Sequence, residues 1–192
     1  MMKKIVEAPF TAVVPSPAVM VSCKGKEADS KPNIITLAWV GIVCSDPPTV
    51  GISIRPERYS YSLIKESGEF VVNIPNENLL AATDYCGQVS GKRVDKFAIT
   101  NLTPVPCENV AAPMINECPV NLECKVTQII AVGAHDLFLG EIVAVHIDEA
   151  IRRNKAMDIK KMTPIAYCSG SSDYWGLKGP LGRYGFAKSA FD

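Results

Sequence analysis

Short apolar runs with a period of two dominate the chain. Val50, Ile52 and Ile54 fall on one side of an extended segment and Gly51, Ser53 and Arg55 on the other. Leu122, Cys124 and Val126 oppose Glu123, Lys125 and Thr127 in the same way. Such alternation belongs to a sheet with one packed face and one more polar face. The strand candidates are PAVMVSC, IITLAWVGIVC, TVGISI, EFVVNI, NLECKVTQIIAV, LFLGEIVAVHI and PIAYCSG, most of them ended by Pro, Gly, Asn or Asp. Helical signals are fewer and shorter: SYSLIKESG, with Ser60 as a possible N-cap and Gly68 as a stop, then ENLLAATDYCG and VDKFAIT, each of two or three turns. Strands do not alternate with long helices, which disfavours a doubly wound parallel sheet. The pattern predicts a mainly β chain, a closed or partly closed barrel with a few short peripheral helices.

The segment 101–116 is rich in Pro and Asn and reads as a long loop. The tail YWGLKGPLGRYGFAKSAFD has glycine at every third position from Gly176 to Gly185, and an extended arm over 170–192 that packs on a partner or over a site is expected. At 192 residues the chain suits one well-cored domain, 1–192.

Composition narrows the function. Lys and Arg total 20 and Asp and Glu total 20, so no global field favours nucleic acid or an anionic membrane, and neither is expected as a partner. Any bound anion must be held by a local cluster. No apolar run approaches a membrane-spanning length, and Glu7, Pro9, Pro15 and Pro17 break the one N-terminal stretch that faintly suggests an export signal. The seven cysteines are odd in number, irregularly spaced and without a C-x-x-C, and only two histidines accompany them, so no metal site is expected. Several lie inside apolar runs, as small hydrophobes do in a reducing cytoplasm, the expected location. Cys44 is read as structural, since nothing near it favours a thiolate.

The phosphate loop, the dinucleotide glycine fingerprint and the hydrolase elbow are all absent. What remains is Arg55 at the end of TVGISI, followed by Arg58 and Ser60 at the mouth of a helix. Two guanidinium groups, a hydroxyl and free helix N–H groups suit a phosphomonoester; a solvated turn with surface arginines fits the spacing equally well. Asp95-Lys96 reads by itself as an exposed helix start, Trp39 as a core residue of a strand, His135 as a solvent-exposed turn residue and His146 as structural.

Taken in order, KPNIITLAWVGIVCSDPPTVGISIR, RYSYSLIKESGEFVVNIP, DYCGQVSGKRVDKF and AHDLFLGEIV resemble the flavin reductase-like, FMN-binding split-barrel family, and within it the flavoredoxins. These stretches cover most of residues 15–150. The resemblance implies a Greek-key split barrel, a homodimer, and FMN near the dimer interface. It implies NADH or NADPH as electron donor and a flavin, iron, oxygen or protein acceptor, small molecule or macromolecule. By the same resemblance, Thr36, Leu37 and Ala38 would meet the pyrimidine edge of the flavin through backbone or hydroxyl groups, with Trp39 beside the ring. Ser53, Arg55, Arg58, Tyr59 and Ser60 would hold the ribityl chain and phosphate, with Asn73 and Ser90 as secondary contacts. Lys96 would place positive charge beside the flavin, where it stabilises an anionic reduced ring. His135 would stand at the mouth and relay protons. Two other readings stay open: a non-enzymatic carrier with tightly bound FMN, and a flavin-free binding protein on the same scaffold.

Overall fold

The computed structural model describes residues 3–154 and 156–187. Seven strands form one antiparallel sheet: β1 (Val19–Cys23), β2 (Asn33–Leu37), β3 (Val40–Ser45), β4 (Pro48–Ile54), β5 (Glu69–Ile74), β6 (Val120–Ala131) and β7 (Asp136–Ile147). Their spatial order is β2-β1-β5-β6-β7-β4-β3, so β2 and β3 are the two edges. Only Ala38 and Trp39 separate them in the chain. Three trans peptide steps reach no further than about 11 Å, which forces the edges together and curls the sheet into a split barrel. A backbone bond from Ser53 N to Trp39 O (3.0 Å) fastens this corner. The run IITLAWVGIVC is therefore two strands on opposite edges, although its apolar pattern is continuous.

The curl is assisted in the long strands. The β6–β7 register shifts at Leu139/Gly140 and again at Ile142/Ala144, and each irregularity bends the ladder. Gly140 lies so close to Phe70 that a Cβ there would sit 2.5 Å from the ring.

Inside the barrel Val19, Val21, Ile35, Leu37, Val50, Ile52, Ile54, Phe70 and Phe138 form the main core, closed at one end by Leu63 and Ile64 of helix α1 (Tyr59–Ser67). Burying each such side chain contributes about 1.5–3 kcal/mol. Met20 and Ile34 point the other way and pack beneath α2 (Leu80–Gln88) and α3 (Lys96–Thr100), which explains why β1 is buried on both faces. Gly68 ends α1 with φ 72°, as expected, but the N-cap is Arg58 and Ser60 lies inside the helix. Asp95 caps α3 by accepting from Ala98 N, and α3 is only five residues long.

The Pro/Asn-rich segment is not a free loop. Pro104–Val105 pairs with Met114–Ile115, and the whole segment is pinned to the outer face of the barrel. Asn73 is fully buried there: its Oδ1 accepts from Ile115 N (2.9 Å) and Asn121 Nδ2 (2.8 Å), and its Nδ2 donates to Met20 O and Ser22 Oγ. Glu123, expected on a polar face, is fully buried. Its carboxylate accepts from Glu108 N (3.1 Å), Asn109 N (2.6 Å) and His146 Nε2 (2.6 Å). Burial pushes this carboxyl up, but the bonds from His146, Asn109 and Glu108 outweigh it and hold the group below its ordinary range.

A second small sheet joins Ser16–Pro17 to β8 (Ile165–Cys168) and β9 (Asp173–Gly176). The arm expected over 170–192 thus begins as a strand that folds back on β8; residues 188–192 lie outside the described residues.

A native-state carboxyl held low contributes stability that is full above the ordinary value of 4.5 and is lost as pH falls through the lower folded value. Glu123→Ala is expected to cost about 2–3 kcal/mol in urea unfolding at pH 7. The gap from wild type should narrow once the pH drops below that range; a gap of the same size at every pH would remove Glu123 from this role.

Candidate functional site

Two adjoining cavities open where β2 and β4 diverge from the corner at Ala38–Trp39. The larger, of about 280 Å³, is lined by Ile35, Thr36, Leu37, Ala38, Trp39, Ser53, Ile54, Arg55, Arg58, Gly87, His135 and Tyr167. The smaller, of about 120 Å³, is lined by Asn33, Tyr59, Ser60, Cys86, Ser90, Gly91 and Lys96 among others. Ile35, Arg58 and Gly87 belong to both, so the two form one continuous site.

The local chain explains each placement. Thr36 faces outward from β2, and its hydroxyl donates to Thr83 O, which ties the strand to α2. That brings Gly87 against Thr36, where a Cβ would sit 3.3 Å from Thr36 Cβ. Arg55 follows β4 directly, and Arg58 precedes α1, so both guanidinium groups emerge at one rim. Arg55 Nη1 lies 3.6 Å from Glu57 Oε1 across solvent, a weak tether. Ser60 is buried and accepts from Asn33 Nδ2 (2.8 Å), which leaves its own proton to donate. Gly91 closes over Asn33 so tightly that a Cβ would meet its amide at 2.0 Å.

Of the residues singled out in the sequence, Thr36, Leu37, Ala38, Trp39, Ser53, Arg55, Arg58 and His135 come together in the larger cavity. Tyr59, Ser60, Ser90 and Lys96 meet Arg58 in the smaller one. Asn73 lines neither; it is spent on the buried network that anchors 113–115. Lys96 is not an exposed helix start. It is 4% exposed, and its Nζ donates to Ile34 O (2.6 Å) and Cys86 O (2.7 Å), with a third donor left over. Burial lowers its pKa, and an anion in the smaller cavity would oppose that shift. Lys96 thus stands with Arg58 and Ser60 and is absent from the lining of the cavity that holds Trp39 and His135.

Sequence reasoning missed Tyr167, Gly87, Gly91 and Asn33. The two glycines sit in the matched stretch DYCGQVSGK, but no local pattern shows that one must approach Thr36 and the other Asn33. Tyr167 reaches the site from a strand more than 100 residues beyond Thr36. Among the described residues no group of three or more His, Cys, Asp or Glu is placed to hold a metal. The cysteines nearest the site are not activated: burial pushes the Cys23 thiol up to about 12 and Cys86 to about 11.

The residues present fit FMN. The two joined cavities collect Trp39 and Tyr167, which could flank a planar ring, and Arg58, Ser60 and Lys96, which could hold a phosphate.

The family model for the flavin reductase like domain matches residues 11–176. The flavoredoxin of Desulfovibrio vulgaris (Miyazaki F) superposes with a TM-score of 0.90 at 38% identity, covering 97% of this chain and 100% of that one. The flavoredoxin of Methanosarcina acetivorans gives 0.89 at 31% identity, over 98% of this chain and 100% of that one. A protein of Archaeoglobus fulgidus is 41% identical over 125 residues, 65% of this chain and 71% of its own. With the curled sheet and its corner site, these matches identify the chain as a member of the flavin reductase-like domain family.

Proposed function

We propose that the paired cavities bind FMN and that the chain passes electrons from NADH or NADPH through it to a flavin, iron or protein acceptor. The observation that carries this reading is that a cavity lined by Trp39, Tyr167 and the 36–38 run joins, through Arg58, a second one that gathers Ser60 and Lys96. Bound FMN would supply a ring that takes a hydride and returns electrons singly or in pairs. Arg58, with Ser60, Lys96 and the N-terminus of α1, would hold the phosphate; Tyr59 and Ser90 flank it. Ser53 and Arg55 would contact the ribityl chain, and Thr36, Leu37, Ala38 and Trp39 would wall the ring. His135, on the turn between β6 and β7, would exchange protons at the mouth. A carrier that keeps FMN and exchanges electrons with proteins is favoured by the two flavoredoxin neighbours, and steady-state NAD(P)H oxidation separates it from the reductase.

The proposal extends to a homodimer and to the cytoplasm. Edge strand β3 leaves Ile42 and Val43 exposed, and an uncovered apolar edge favours pairing with a second copy. All seven cysteines are free thiols, which suits a reducing compartment. No helix among the described residues is long and apolar enough to cross a membrane.

Arg58→Ala should weaken FMN binding by roughly ten- to a hundredfold in a fluorescence titration, through the lost charge-assisted contact, while riboflavin binding stays as in wild type. An unchanged FMN affinity would take Arg58 out of the phosphate site. His135→Asn should slow NAD(P)H oxidation by roughly a hundredfold with FMN affinity preserved, and equal rates would leave the histidine without a role. Sedimentation should find twice the mass of one chain; a monomer at micromolar concentration would contradict the dimer.

A further inference from the structure

The Tyr167 side chain enters the larger cavity from outside the barrel. It stands on β8, paired with Ser16 on one side and Tyr174 of β9 on the other. The hairpin β8–β9 is fixed at several points. Tyr174 OH donates to Asp84 Oδ1 of α2 (3.0 Å), and the rings of Tyr167 and Tyr174 pack with centroids 5.5 Å apart. Glu77 lies so close to Gly176 that a Cβ there would meet its carboxylate at 2.2 Å. Ser169 Oγ donates to Thr11 O of the N-terminal segment. Asp84 and Gly87 sit on the same helix, one bonded to the hairpin and the other lining the cavity.

Resting on the flavin reading above, we propose that Tyr167 is a wall for the planar part of the ligand, and that the Tyr174–Asp84 hydrogen bond is the contact that positions it. The barrel supplies the cationic end of the site and the C-terminal hairpin supplies an aromatic face to the ring end. Burial, with Asp84 beside it, pushes the Tyr174 phenol up to about 12, so the hydroxyl remains a donor throughout the neutral range. Tyr174 packs on Tyr167 and lines neither cavity, so its part is to orient, and Tyr167 is the group that meets the ligand.

The two ends of the site separate by choice of ligand, because riboflavin has the ring and lacks the phosphate. The test titrates FMN and riboflavin, followed by flavin fluorescence, into wild type, Tyr167→Ala, Tyr167→Phe and Tyr174→Phe. Tyr167→Ala should weaken both ligands by the same factor, about tenfold, as expected for a lost aromatic contact, and should relieve the quenching of flavin emission. Tyr167→Phe should keep affinity near wild type, since it keeps the ring. Tyr174→Phe, which keeps the ring and loses the bond to Asp84, should weaken both ligands by a smaller common factor. Unchanged affinity and quenching in Tyr167→Ala would overturn the proposal while leaving the flavin reading intact. So would a loss confined to FMN. Wild-type protein that binds neither ligand would overturn both together.

Discussion

Two residues, Ala38 and Trp39, carry the chain from one edge of the sheet to the other, and the rest of the molecule is arranged around that short link. A link of this length leaves the sheet no flat solution. The barrel must curl until its edges nearly meet, and the bond from Ser53 N to Trp39 O sets where they do. Beyond this corner β2 and β4 part, and the cavity lined from both is the candidate site.

Around the corner, four separate elements contribute to the candidate site. The start of α1 brings Arg58 and Ser60 to one end, and α3 turns a lysine inward where its ammonium is held by two backbone carbonyls. Helix α2 packs on β2 with Gly87 set against Thr36. The turn from β6 to β7 brings His135 to the mouth. Charge is thereby collected locally in a chain whose formal net charge is zero. Any selectivity of the proposed site for an anionic ligand would therefore arise from local placement and not from a long-range field.

Most strands were legible because they are apolar and ended by a breaker, so the period-two rule finds them one at a time. The edge-to-edge jump inside IITLAWVGIVC was not, since Leu37 to Val40 are all apolar and no single residue there forces a turn. Glu123 misled for a related reason. Alternation reports which face a side chain takes, but it is blind to a distant segment folded over that face, here the one pinned through Asn73, Asn121 and Ser22. In the site, Arg55, Arg58 and Ser60 formed a readable cluster because they are neighbours in the chain. Lys96 was recognisable only through family likeness, because its surroundings depend on backbone carbonyls that no side-chain pattern encodes; the same likeness put Asn73 at the site, where its amide is instead taken up by the buried network. Tyr167 left no local signal at all: its position depends on a hairpin docked from the far end of the chain.

The most direct test is the visible spectrum of the FMN-loaded protein, titrated anaerobically with NADH and then with NADPH. If the corner site binds FMN open to a hydride donor, one of the two nucleotides should bleach the flavin absorbance in proportion to the amount added. Bound flavin that stays fully oxidised in the presence of both would contradict the proposed reductase.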